Sequence, residues 1–536
     1  MRPNSSDSPL RSRASTKNLE FWALGLILLA AFLLRLIGLR FGFPLLTHPD
    51  ETYILDPVLR MSANATLDPG QYNRPDLITI YINLAVLNLV SLLSYGKSLA
   101  AAFNQHILTF YFLARLVTAV MGTALPLVGY WLGKEAKGSF AIPAAALLAF
   151  FPAFVAYSHY ATPDVPITLF TLLVIFFAAR FLNTRQPVWL ALAVVMAAVN
   201  TAEKYPGLLS LGIVYVAVIW QVIQPSGRST RQAISVILRQ LLLWTGVYVW
   251  ALYLVAPVLF AQFGTVITAA LAENQSSHLG ADGLGWLGNM QYYLGAFFGQ
   301  AGPLVVLFAA IGAYRLFKER EGVLLLGLYG AGYWIALSVL TLHWERWALP
   351  METAPLILAS AGFSYVLARI RGVWLHRGAA AVGLAVVFSL FMPALANSIT
   401  FSYTDTRVAA LDYCGQNGIT AENSIYEHYT PFSPKMSGNF RFDYPYDISR
   451  DYIILSSAMF GRYQNEPERY AEQVAVYQQI RQKNALVASF DPFPSPVTPG
   501  QQFDALRYFI LWLARQPVEP RYSGPQILIY RVLPTP

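Results

Sequence analysis

The sequence predicts a mainly α-helical, polytopic membrane protein. It is expected to have about eleven transmembrane helices, surface helices in the first outer loop, and a small extracytoplasmic α/β domain at the C-terminal end. Three observations carry this expectation. Of 536 residues, 56% are hydrophobic and only 12% are charged, where soluble chains carry roughly 25% charged residues. The basic residues gather in short loops between apolar runs, so the net charge of +8 marks membrane orientation rather than nucleic-acid binding. After residue 397 the composition shifts toward charged and Pro residues and short β-type runs.

The N-terminal stretch 1–19 carries Arg2, Arg11, Arg13 and Lys17 ahead of the first apolar run. That run is long, lacks a small-residue cleavage site and ends at Arg35 and Arg40, so a retained helix is expected instead of a signal peptide. Runs able to span recur near 20–40, 108–131, 139–158, 165–182, 187–203, 206–223, 237–258, 302–317, 322–341, 348–367 and 378–397. A further run, 77–95, is interrupted by Asn83, Asn88 and Ser91. Loop charge decides against its crossing. With the N-terminus cytoplasmic and 77–95 lying on the outer surface, Lys134/Lys137, Arg180/Arg185, Arg228/Arg231, Arg315/Lys318/Arg320 and Arg369/Arg371/Arg377 all fall inside. The domains expected are therefore a cytoplasmic tail (1–19), a transmembrane unit (20–397) and an extracytoplasmic α/β domain (398–536). The transmembrane unit would hold a long first outer loop at 41–107 and a second, Gly-rich one at 259–300. In the last domain, runs at 424–426, 452–455, 485–487 and 527–530 predict strands, with a helix near 465–482. The single cysteine, Cys414, rules out an intramolecular disulfide.

The same topology sends a set of isolated polar residues to the outer face. Asp50-Glu51 stands about ten residues beyond the first run, and Thr162-Pro163-Asp164 opens the fourth. Arg74, Arg115, Glu203-Lys204, His278 and Glu345-Arg346 join them. Charges at membrane depth are costly and usually line a cavity. An ionised carboxylate there is a candidate general base, and lone cations are candidate phosphate clamps. Each also has a plainer interpretation. Asp164 fits a helix N-terminus; Lys204 and Arg346 fit snorkelling side chains beside Glu203 and Glu345; His278 fits a solvated loop. No internal repeat, P-loop, GxSxG motif or metal-ligand spacing is present, so no cofactor is expected and a divalent metal has no motif behind it.

Taken in order, these motifs resemble the GT-C membrane glycosyltransferases, in the protein O-mannosyltransferase and aminoarabinose-transferase-like group. The resemblance rests on Asp50-Glu51, Arg74-Pro75, Arg115 opening the second span, Thr162-Pro163-Asp164, Lys204-Tyr205-Pro206-Gly207 and Arg346-Trp347-Ala348-Leu349-Pro350, and covers residues 20–370. It departs where many relatives have a Lys/His-Pro-Pro element and this chain has Arg74-Pro75-Asp76. The resemblance implies a GT-C-like fold in the plasma (inner) membrane and a polyprenyl-phosphate-linked sugar donor. The acceptor, a glycan, lipid or protein, would be met on the extracytoplasmic face, and Asp50 would be the base of an inverting transfer. Glu51 and Asp164 would complete the catalytic group. Arg74, Lys204, Arg346 and Arg115 would bind the donor phosphate, and His278 would sit in a substrate loop. Membrane lipids are the other partners expected, and no nucleic acid. The competing expectation is a secondary transporter or flippase for a lipid-linked or small polar substrate, in which charges mark a permeation path through the middle of the spans.

Overall fold

The computed structural model describes residues 9–136, 140–224, 229–273, 279, 284–319, 322–433, 438–443, 450–494, 497–514, 516 and 519–534. In chain order the first part comprises α1 (Pro9–Leu36), α2 (Thr52–Asn64), α3 (Leu77–Tyr95), the short α4 (Leu99–Ala102), α5 (Ile107–Glu135), α6 (Ala141–Phe150), α7 (Pro152–Tyr157), α8 (Asp164–Thr184) and α9 (Pro187–Glu203). There follow α10 (Leu209–Ile223), α11 (Thr230–Val255), α12 (Pro257–Ala261), α13 (Phe263–Glu273), α14 (Gly285–Lys318), α15 (Leu325–Ser338), α16 (Leu349–Leu367) and α17 (Val373–Phe401). Every one of the eleven apolar runs is helical. Among the described residues, eight helices are by length and composition able to cross a membrane, α3 among them, and shorter apolar helices such as α9 and α15 accompany them.

The helices pack around one large core drawn from α1, α5 to α11 and α14 to α17. Small residues set the closest crossing. A Cβ on Gly312 of α14 would collide with the carbonyl oxygen of Leu358 in α16, and one on Gly362 with that of Phe308. Backbones therefore touch directly, the close approach that small residues permit between membrane helices.

Two ends of the bundle are distinguishable by their ion pairs. At one end Lys134 pairs with Glu20 and Arg180 with Glu135. At the other, Arg115 of α5 meets Glu51 at 2.7 Å. Nineteen residues of helix separate Arg115 from Lys134, about 28 Å at 1.5 Å per residue, close to a hydrocarbon thickness of about 30 Å. Both termini of α3 are held at the Arg115 end. Thr79 in its first turn bonds Glu203, with the amide at 2.8 Å from Oε2. Tyr95, its last residue, stacks on His106 at 3.8 Å, just ahead of α5. Although long and apolar enough to cross, α3 lies along this end, against α2, where Ser62 donates to Asn88 at 2.8 Å. Its buried side chains form a separate core with α2, α4 and the start of α5.

The expected long loop at 259–300 is largely helix instead. It contains α12, α13 and the first half of α14, where Asn289, Tyr293, Phe297 and Ala301 are buried at four-residue intervals. Of the glycines that suggested a loop, Gly285 and Gly288 form the first turn of α14, ahead of this buried stripe, and Gly280 and Gly283 lie outside the described residues. The helix does break at Gly302, with φ +75° ahead of Pro303, a backbone conformation open to glycine.

Beyond α17 come β1 (Thr404–Asp405), α18 (Thr406–Gln416), β2 (Ser424–Tyr426), β3 (Tyr452–Ser456), α19 (Ser457–Gln464), α20 (Ala471–Lys483), β4 (Ala485–Phe490), α21 (Pro499–Leu513), β5 (Tyr522–Ser523) and β6 (Ile527–Arg531). The main sheet has the order β2-β3-β6-β4, with β2 and β3 parallel and β6 antiparallel to both of its neighbours. All four strands lie on the predicted runs, and the predicted helix is α20. Both faces of the sheet are covered, by alternate residues. Ile453, Leu455, Leu528 and Tyr530 face α19 and α20; Ile454, Ile527 and Ile529 face α18.

Candidate active site

The Asp50-Glu51 dipeptide lies in a short 3-10 turn, Pro49–Glu51, that leads into α2. Helical geometry sends the two neighbouring side chains in different directions, and their fates diverge. Glu51 is fully buried. Its carboxylate accepts from Arg115 Nε at 2.7 Å and Nη2 at 2.8 Å, and from the amide of Ala161 at 3.2 Å. Arg115 is equally buried. Its remaining nitrogen donates to the carbonyls of Leu39 and Phe41 at 3.1 and 2.9 Å, and the guanidinium stacks 3.7 Å from the Phe41 ring centroid. Bidentate pairing of this kind is strong and directional. Arg115 was expected at the donor phosphate and Glu51 in the catalytic group; with every polar atom engaged and no surface open, both instead fasten the first loop to α5.

Asp50 keeps an open side. Arg346 Nη2 approaches its Oδ2 at 3.0 Å and Arg74 Nη2 its Oδ1 at 3.8 Å. Burial alone would raise this carboxyl's pKa, but Arg346 and Arg74 outweigh burial and hold it below the ordinary carboxylate value. Asp164, in the first turn of α8, receives Lys204 Nζ at 2.6 Å on one oxygen and Arg346 Nε at 3.8 Å on the other. Lys204 does not pair with Glu203 beside it, because Glu203 is turned to Thr79. Glu345 likewise bonds Gln300 and leaves Arg346 to the two aspartates. Neither cation is therefore a snorkelling side chain on its local acid.

Asp50, Asp164, Arg74, Lys204 and Arg346 thus form one network, drawn from the first loop, the start of α8, the end of α9 and the turn before α16. His278 lies outside the described residues. One member was legible only as part of a motif. Asp76, fully buried, meets Arg74 Nε at 3.1 Å and precedes α3 with φ +46°, a left-handed conformation that Asp adopts more readily than most residues. Burial pushes its carboxyl up to about 6 even though Arg74 pulls the other way. Glu352, in the first turn of α16, is also buried at this end, with no hydrogen-bond partner for either oxygen among the described residues. A lone acid inside an otherwise apolar run was its signal in the sequence.

The α/β domain closes over the same end. Arg407, paired with Asp405 at 2.8 Å, donates to the carbonyl of Thr47 at 3.0 Å. Arg462 stands over Trp344 at 5.8 Å. Between domain and first loop lies a cavity of about 240 Å³, walled by His48, Tyr160, Phe401, Arg407 and Phe493 among others. The His48 ring lies 4.2 Å from that of Tyr160, and its Nδ1, like the Thr47 hydroxyl, is buried without a described hydrogen-bond partner.

Residues 84–271 match the family model described as dolichyl-phosphate-mannose-protein mannosyltransferase. The match runs from within α3 into α13, takes in Arg115, Asp164 and Lys204, and leaves Asp50, Arg74 and Arg346 outside. The match covers about a third of the chain. Crystal structures of ArnT from Cupriavidus metallidurans are similar over most of both chains. The form bound to undecaprenyl phosphate has a TM-score of 0.44 at 14% identity, covering 97% of this chain and 98% of that one. The apo form has a TM-score of 0.45 at 15% identity, covering 97% and 100%. At these TM-scores neither likeness bears on the site. No curated protein matches the chain.

Proposed function

We propose that this protein transfers a sugar from a polyprenyl-phosphate carrier to an acceptor on the extracytoplasmic face, with inversion at the anomeric carbon and Asp50 as the general base. The family match supports the reaction class. The observation that carries the residue assignment is that Asp50 alone of the adjacent acids keeps an open side, between two guanidinium groups whose other ion pairs among the described residues are with Asp76 and Asp164.

A phosphate-linked sugar already bears a good leaving group, so the chemistry needs a base and cations. The acceptor O–H or N–H attacks the anomeric carbon, and its proton passes to Asp50. The bond from that carbon to the phosphate oxygen breaks, and the polyprenyl phosphate leaves with one more negative charge than the donor carried. Arg74, Lys204 and Arg346 receive that charge. The same cations depress the Asp50 pKa while the donor is absent, and an arriving phosphate competes for them. Donor binding therefore raises the basicity of Asp50 at the moment a base is needed. The cavity beside His48 carries none of these three cations and suits the acceptor side of the reaction. The dispersed mid-span charges of a transport path are not what these acids form. Asp50, Asp76, Asp164, Glu203 and Glu352 all lie at one end of the bundle.

Single-turnover transfer from a radiolabelled polyprenyl-phosphate sugar tests the proposal. Asp50→Asn retains size but cannot take a proton, so turnover is expected to fall about 10²–10⁴-fold with donor binding little changed. Near-normal transfer by this variant refutes the assignment.

A further inference from the structure

We propose that the end of the bundle remote from the ion-pair network binds an anionic phospholipid of the surrounding membrane. Arg369, Arg371 and Arg377 would hold its phosphate headgroup, and an apolar groove between five helices would take an acyl chain. This site is separate from the glycosyltransferase reading and stands without it.

The groove has a volume of about 450 Å³ and is walled by α1, α6, α14, α16 and α17, through residues such as Ile27, Pro143, Leu147, Phe308, Phe363 and Leu384. Its one side-chain hydroxyl, Ser360, is turned to the carbonyl of Leu356 at 2.9 Å. The groove's position along the bundle follows from its helices. α16 starts beside Arg346 and runs away from the network, and α17 returns. Groove residues occupy 359–367 of α16 and 380–387 of α17, about 10–12 Å of each helix, next to the connection that joins them.

That connection carries Arg369 and Arg371, and Arg377 follows on α17. Arg377 is three residues before Ala380 and seven before Leu384, both on the groove wall, so it heads the same stripe of the helix. None of the three arginines forms an ion pair among the described residues. Arg369 is held in place by Tyr365, with its guanidinium carbon 3.2 Å from the ring centroid and a hydrogen bond to the Tyr365 carbonyl at 3.1 Å. Trp374, 80% exposed, has Arg377 at 5.3 Å, a pairing suited to the interface between headgroups and hydrocarbon.

Physical chemistry assigns the selectivity to the charges. An acyl chain gains little by leaving bilayer hydrocarbon for an equally apolar groove. A groove with a neutral mouth would accept any lipid. Three cations at the mouth favour a headgroup with net negative charge, as basic pockets between membrane helices do. A basic loop that serves only orientation needs no groove at its foot.

The test uses the purified full-length protein in detergent, incubated with equal amounts of phosphatidylglycerol and phosphatidylcholine of the same acyl chains, with retained lipid read by native mass spectrometry. At least tenfold preferential retention of phosphatidylglycerol is expected, declining as salt is raised. The triple variant Arg369→Gln, Arg371→Gln, Arg377→Gln should lose the preference. Ala380→Phe, which fills the groove, should lower retention of both lipids. The three arginines are at the surface, so their replacement leaves the core intact even if Ala380→Phe does not fold. Equal retention of the two lipids by the wild type overturns the proposal, as does a preference that survives the triple substitution. Displacement of phosphatidylglycerol by polyprenyl phosphate also overturns it, because the groove would then belong to the carrier's tail.

Discussion

At the scale of single residues, two adjacent acids in one turn have opposite physical situations, and this separates their expected phenotypes. Glu51 is locked in a buried pair with Arg115. Removing one partner of such a pair leaves the other charged and desolvated, typically at a cost of about 3–5 kcal/mol. Glu51→Gln should therefore lower the melting temperature markedly and reduce activity through loss of folded protein, whereas Asp50→Asn should lose turnover at near-wild-type melting temperature. Scanning fluorimetry beside the transfer assay distinguishes the two. Lys204 and Arg346 make a third case. Each is partly open and engaged with aspartates that a donor phosphate would displace, so Lys204→Met and Arg346→Met should weaken donor binding at least tenfold while the protein stays folded. Unaltered binding of a radiolabelled polyprenyl-phosphate sugar by both variants would place the phosphate contact elsewhere. The composition of the site was legible here, since the five network residues were all singled out in the chain. Which acid of the pair remains open was not. Asp50 and Glu51 are adjacent and chemically alike, and only the position of Arg115, 64 residues on, consumes one of them.

At the scale of elements, α3 shows how a helix can satisfy the composition of a span and still lie at one end of the bundle. Its start is built on Asp76, whose ionised form is disfavoured by burial. The unfolded chain ionises this group near 3.8 and the folded chain at about 6. The unfolded state thus releases the proton first, and stability declines as pH rises through that window. A shift of roughly two units corresponds to at most about 3 kcal/mol at pH 7. Asp76→Asn removes the charge and keeps a side chain that tolerates a positive φ. The variant should melt higher than the wild type at pH 7, with the difference shrinking as pH falls and gone below about pH 4. A lower melting temperature at pH 7 would mean that the contact with Arg74 outweighs the burial. The first half of α14 teaches the complementary lesson. Its glycines suggested a loop, yet Asn289, Tyr293, Phe297 and Ala301 repeat every four residues. The periodicity of the apolar positions was the better guide, because helix stability in a packed bundle comes chiefly from the buried stripe.

At the scale of the whole molecule, the network, both termini of α3 and the α/β domain share one end, and the pairs Lys134–Glu20 and Arg180–Glu135 mark the other. On a Cys414→Ser background, single cysteines at Arg185, in the turn after α8, and at Glu422, in the α/β domain, should label with a membrane-impermeant maleimide from opposite sides of sealed vesicles. Labelling of both from one side would refute the assigned topology. The sequence by itself determined the place of the eleven apolar runs that became helices, the strands of the α/β domain and the residue types of the site. These are local properties: hydrophobic period, loop charge and the rarity of a charge beside an apolar run. The tertiary structure decided who pairs with whom. It turned Glu203 to Thr79 and Lys204 to Asp164, made Arg115 a buried strut, and brought Asp76 into the cluster. Pairing across 40 to more than 100 residues depends on how helices pack, and on the low dielectric that makes each buried charge settle with whichever partner packing places beside it.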